Sequence, residues 1–121
     1  MSWKINVLAP AVAAIIKDAQ YSGVQIGGSP KTPGTYSVVK GSTIYVYATI
    51  QNTGETQGSL WVWIRDKLSG KVLASKVDSV APGGTLGIPA TPIKADASME
   101  LYIEAGIGTT PGVNITDTWG C

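Results

Sequence analysis

The sequence predicts an all-β fold, an immunoglobulin-like β-sandwich of about seven strands. Three observations carry that expectation. Short runs of alternating apolar and polar residues recur along the chain, with Gly, Pro, Asn and Ser between them. β-Branched and aromatic residues dominate those runs, which suits a pleated, half-buried surface. The runs number seven or eight and are closely spaced, as in a two-sheet sandwich. At 121 residues the chain suits one domain, 1–121, large enough for a proper hydrophobic core.

The elements follow in order. Residues 1–10 read as an N-terminal arm or edge strand, with Trp3, Ile5 and Val7 alternating on one face before Pro10. Such an arm could add to the edge of a neighbour's sheet or pair within its own sandwich. The apolar stretch from Ile5 to Ile16 has Lys4 as its one flanking positive charge, and its small-residue triplets fall inside the stretch, so it does not read as a secretory signal. A first strand is expected within Val12 to Tyr21. Gly27 to Gly34 holds three glycines and two prolines and reads as a loop. A short strand is expected at Thr35 to Val39, then a turn at Lys40-Gly41-Ser42.

Thr43 to Gln51 is the clearest strand, with Ile44, Val46, Ala48 and Ile50 alternating against Tyr45, Tyr47 and Thr49. Asn52-Thr53-Gly54 supplies turn chemistry, with Gly54 free to take a positive φ. Ser59 to Lys67 follows, and Ser69-Gly70 turns into Lys71 to Val77. After the turn Val80 to Gly84, a short strand at Thr85 to Ile88 meets a Pro-interrupted link, Pro89 to Pro92. Ser98 to Ala105 alternates cleanly, and Val113 to Trp119 is the last strand.

Two of these turns carry a resemblance. Ile50-Gln51-Asn52-Thr53-Gly54, a hydrophobic strand after it, and Val80-Ala81-Pro82-Gly83-Gly84-Thr85 resemble the CARDB-like group of immunoglobulin-fold domains, over roughly Val39 to Ile107. The resemblance implies a domain used for adhesion, spacing or assembly on larger extracellular proteins, usually without catalysis. This chain departs from it in showing no detectable repeat.

Composition limits the chemistry. Charged residues make up 14%, against roughly 25% in ordinary soluble proteins, a surface that is tolerable when much of it is covered by neighbours and risky when it is not. A net charge of +1, with scattered lysines, gives no electrostatic reason for nucleic acid or an anionic membrane as partner. No run reaches the roughly 18 apolar residues of a membrane helix, so no membrane insertion is expected. There is no histidine, which removes the usual general base and the commonest metal ligand. The one cysteine, Cys121, reads as an inert terminal thiol. No catalytic, metal or cofactor constellation stands out, and no enzyme is expected.

The informative feature is Leu60-Trp61-Val62-Trp63-Ile64, which is apolar on both of its alternating faces. With Leu60, Val62 and Ile64 in the core, Trp61 and Trp63 face outward beside Tyr102, edged by Arg65, Glu100 and Glu104. An apolar patch of that kind demands cover. The cover could be a partner protein or a second copy, a carbohydrate stacked on the rings, or the chain's own Trp3 and arm. Alternatively, one of the two tryptophans is itself the core residue. The candidate contact residues are Trp3, Trp61, Trp63, Arg65 and Tyr102. The leading expectation is a non-enzymatic structural or assembly module, such as a capsid-decorating or accessory virion protein of a phage or archaeal virus. A carbohydrate-binding or adhesion domain at an extracellular surface is the alternative.

Overall fold

The computed structural model describes residues 2–3, 14–16 and 22–120. Apart from Ser2 and Trp3, the arm expected over residues 1–10 lies outside the described residues, as does Cys121. The described chain is all-β: β1 (Ala14–Ile16), β2 (Gly23–Ile26), β3 (Ser29–Lys31), β4 (Thr43–Asn52), β5 (Gly58–Asp66), β6 (Val72–Val80), β7 (Thr85–Lys94), β8 (Leu101–Ile107) and β9 (Ile115–Trp119).

The strands form two antiparallel sheets packed as a sandwich. In the first, β4 is central, with β7 along one side. Along its other side β1 pairs with Ile50–Asn52 and β2 with Tyr45–Tyr47, so two short strands share the work of one. The second sheet has the order β6-β5-β8-β9. Alternation decides what meets between them: Val46, Ala48 and Ile50 of β4, with Leu86 and Ile88 of β7, pack against Leu60, Val62 and Ile64 of β5 and Ile103 and Ala105 of β8. Fully burying each large aliphatic contributes about 1.5–3 kcal/mol, so this one cluster is the main stabilising element.

Three local expectations need correction. The segment Gly27–Gly34 is not all loop. Gly27 and Gly28 take φ of 60° and 81°, the backbone of a tight hairpin turn, and Ser29–Lys31 pairs back onto Val24–Ile26. Pro30 is tolerated because β3 is an edge strand. The strand expected at Thr35–Val39 does not form; residues 32–41 run as an exposed connection. The prolines of β7 do not interrupt it. β7 lies at the sheet edge, where a missing N–H breaks no ladder, and a register shift opposite Tyr47 absorbs Pro89 and Ala90. Together with the division of β1 from β2, the β2–β3 hairpin brings the strands among the described residues to nine, against about seven expected.

The two turns that carried the resemblance are joined in space. Asn52 is fully buried at the end of β4. Its side-chain NH2 donates to the carbonyls of Val80 (2.8 Å) and Thr56 (3.0 Å), and its Oδ1 accepts from the Gly54 N–H (2.9 Å). Its backbone N–H donates to Gly84 and its carbonyl accepts from Gly83. One amide therefore brackets the β4–β5 and β6–β7 turns. Gly54 is not among the glycines with positive φ, so the freedom expected there is not used.

Candidate functional site

β5 presents Trp61, Trp63 and Arg65 on the outer face of the second sheet, as the alternation requires. Register sets their neighbours in rows across the strands. Val77, Trp61, Gly106 and Ile115 form one row; Ser75, Trp63, Glu104 and Thr118 form the next; Val72, Arg65 and Tyr102 form a third. Neither tryptophan is in the inter-sheet core. The rings meet edge-on, with centroids 5.2 Å apart and planes at 64°, one of the arrangements that the aromatic quadrupole favours.

The cover comes from the connection between β8 and β9. Trp61 is 0% exposed, and its indole N–H donates to the Val113 carbonyl at 2.8 Å. Two glycines make the fit. A Cβ on Gly106 would lie 2.6 Å from the Trp61 ring, and one on Gly112, at φ 86°, would lie 2.7 Å from Trp63 Cη2. Trp61 thus rests over a bare backbone, and the 108–114 loop reaches down onto Trp63. Val77, Val113 and Ile115 remain exposed around the covered pair.

The polar edge is organised around the same rings. Trp63 donates its N–H to Glu104 Oε1 at 3.0 Å, and the Arg65 guanidinium lies 5.7 Å from its ring centroid. Lys67 Nζ lies 5.2 Å from the Tyr102 centroid. Such cation–π contacts are worth about 0.5–1 kcal/mol at exposed sites. Trp61, Trp63, Arg65 and Tyr102 are therefore brought together on one face. Trp3 is not part of that cover: it is 88% exposed. Tyr45 and Tyr47 lie on the outer face of the other sheet, as expected. Burial raises the Tyr47 pKa, and its buried hydroxyl has no hydrogen-bond partner among the described residues.

A second feature had no signal in the sequence. At the end of the sandwich where β4 and β8 begin and β5 and β9 finish, a cavity of about 900 Å³ opens between the 32–40 connection and residues 95–100. Ile64, Leu101, Ile103 and Trp119 line its interior and Tyr36 and Val38 one side of its mouth. Asp66 fixes part of the rim. Its buried carboxylate accepts from the Leu68 N–H, the Ser69 hydroxyl and the Glu100 N–H at 3.1, 2.7 and 2.9 Å. Burial alone would raise its pKa, but these bonds to the charged form outweigh it and hold the value below the ordinary 3.8. Among the described residues no three His, Cys, Asp or Glu side chains gather as metal ligands, and no helix is long and apolar enough to cross a membrane.

Comparison with protein-family models, with curated proteins and with solved structures gives no match.

Proposed function

We propose that the chain is a non-enzymatic structural module that docks onto a protein partner, a second copy included, through the outer face of the β6-β5-β8-β9 sheet. The observation that carries this reading is the row Val77–Trp61–Gly106–Ile115. The loop that covers its tryptophan still leaves aliphatic side chains facing water at both ends and at Val113. Exposed aliphatics around a sealed tryptophan, with Arg65, Lys67 and Glu104 on the same face, have the make-up of an interface core with a polar edge. The low charge content supports a surface covered in assembly, and a capsid-decorating or accessory virion role is one setting for it. The immunoglobulin-like reading is supported by the antiparallel pairs β4–β7 and β5–β8, one in each sheet. The CARDB-like resemblance, supported by the Asn52 bracket, would put the same module in adhesion or spacing.

The carbohydrate reading has less support. A sugar platform needs free ring faces, whereas Trp61 is sealed and cationic side chains lie over Trp63 and Tyr102. The test is the solution mass over a wide concentration range, compared between the native chain and the double variant Val77→Lys, Ile115→Lys. We expect association in the native chain and its loss in the variant, with the thermal midpoint nearly unchanged. Association that survives the double variant refutes this face as the contact.

A further inference from the structure

We propose that two copies of the chain join edge to edge through β6, antiparallel about a twofold axis at Val77, so that Lys76 of each faces Asp78 of the other. The inference rests on the assembly reading above in taking a second copy as partner. It uses the edge and inner side of β6, however, and not the outer face of the sheet. Its first support is a comparison of edges. An edge strand offers unpaired N–H and C=O groups to any other chain, and proteins blunt such edges with prolines, short strands or charges. Among the described residues, β7 carries Pro89 and Pro92, β3 is three residues long with Pro30, and β1 is three residues long. On β9 the Asp117 carboxylate is engaged, accepting from the Thr118 N–H at 3.0 Å and from the Ile16 N–H of β1 at 2.7 Å. β6 runs nine residues without a proline.

The second support is the pattern of β6 itself. Lys76 and Asp78 stand across from Val62 and Leu60, on the side that faces the other sheet. A strand so placed normally buries alternate residues, yet Ser75 to Ser79 are all exposed. Ser79 shows which way the main chain is aimed. Its N–H donates to Asp78 Oδ1 at 2.8 Å, and the carbonyl of Ser59, its partner on β5, accepts from Gly108 instead. Main-chain groups alternate in direction along an antiparallel strand, so Ser75, Val77 and Ser79 offer theirs to the free edge.

Charge then selects the register. A twofold axis perpendicular to the sheet keeps outer faces together, so the residue at the axis opposes itself. With the axis at Lys76 or at Asp78, like charges meet. Only an axis at Val77 sets Lys76 across from Asp78, and it does so twice, while Val77 with Val77 and Ser75 with Ser79 exchange main-chain hydrogen bonds. A lone edge lysine would repel a copy of its own strand; a lysine followed two residues later by an aspartate is self-complementary. Neither side chain has an ionic partner among the described residues, since Lys76 Nζ donates to the Gly87 carbonyl at 3.2 Å and Asp78 accepts from Ser79. Pairing moves the Ser79 N–H onto the Ser75 carbonyl of the other copy, which frees the Asp78 carboxylate for the lysine. The contact is isologous and closes at a dimer.

The experiment is light scattering after size exclusion, from low to high concentration, on the full chain and on Lys76→Glu, Asp78→Lys and Ile115→Lys. All three positions are exposed, and far-ultraviolet circular dichroism checks that each variant keeps the fold. The native chain should pass from monomer to dimer, and each charge reversal should need roughly tenfold or more protein for the same half-association point. An equimolar mixture of the two reversals should recover native association, because one strand then carries two acids and the other two lysines. A native chain that stays monomeric overturns the proposal, as do reversals that associate like the native chain or a mixture of folded variants that fails to recover. Val77 belongs to both surfaces and is left unchanged. If association is lost in Ile115→Lys and kept in both reversals, the outer-face reading stands and this one falls; the opposite pattern keeps the edge and discards the face.

Discussion

The two ends of the sandwich are closed by different means. Where β4 finishes and β5 and β7 begin, connections are short and a buried amide, Asn52, ties them through side-chain and backbone hydrogen bonds. At the opposite end the chain makes a long exposed excursion over residues 32–41, and the space between the sheets opens into the cavity. Its closures are peripheral: the Gly41 N–H donates to Ala95, the Ala95 N–H to Ser42, and Asp66 holds the 95–100 segment. Leu68 stands 63% exposed on that side and Val39 79%. A turn that carries its own polar hub can exclude water locally. A long connection without one leaves the ends of the core strands reachable from solvent.

Substitutions should separate the two ends. The largest effect is expected from Asn52→Leu, which removes three side-chain hydrogen bonds and strands the Val80 carbonyl. We expect a loss of about 3–5 kcal/mol in urea unfolding. Gly106→Ala comes next, because the new methyl would meet both Trp61 and the Asn114 carbonyl. Overpacking should cost about 3 kcal/mol and shift the indole emission as Trp61 is pushed from its seat.

The open end should respond to acid. Asp66 has a folded pKa below its ordinary 3.8, so its stabilisation is complete above that value and disappears as pH falls through the lower folded value. Urea midpoints between pH 7 and 2 should fall steeply below about pH 4 in the native chain, and Asp66→Asn should flatten that fall. The smallest effect is expected from Leu68→Ser at the cavity mouth, within about 0.5 kcal/mol of the native chain in the same assay. A large loss there would mean the open end is as tightly built as the sealed one.

The strands β4 and β8 were legible because each alternates over seven or more residues, and β5 because Leu60–Ile64 is an unbroken apolar run of β-branched, aromatic and aliphatic residues. Strand β3 was not, since Pro30 and the two glycines of its turn argue against a ladder unless an edge position is known. Which face of Leu60–Ile64 is core was not legible, because Leu60, Val62 and Ile64 are as apolar as Trp61 and Trp63. What covers the tryptophans did not follow either, because the 108–114 loop has no period and its fit depends on Gly106 lying across from Trp61, a fact of register. Gly106 and Gly112 flanking a short Thr-Thr-Pro segment were the one available signal. The cavity was invisible, because Ile64, Ile103 and Trp119 read equally well as filled core.

The tryptophan pair also gives the molecule a built-in optical reporter. Two indoles 5.2 Å apart and inclined at 64° couple their electronic transitions, and coupled transitions produce a split circular dichroism band whose size depends steeply on separation and angle. The 108–114 loop holds that geometry through the Trp61 bond to Val113 and the seat of Trp63 on Gly112. Lifting the loop with the sheets intact would change the split band, so this spectrum reports on the cover itself.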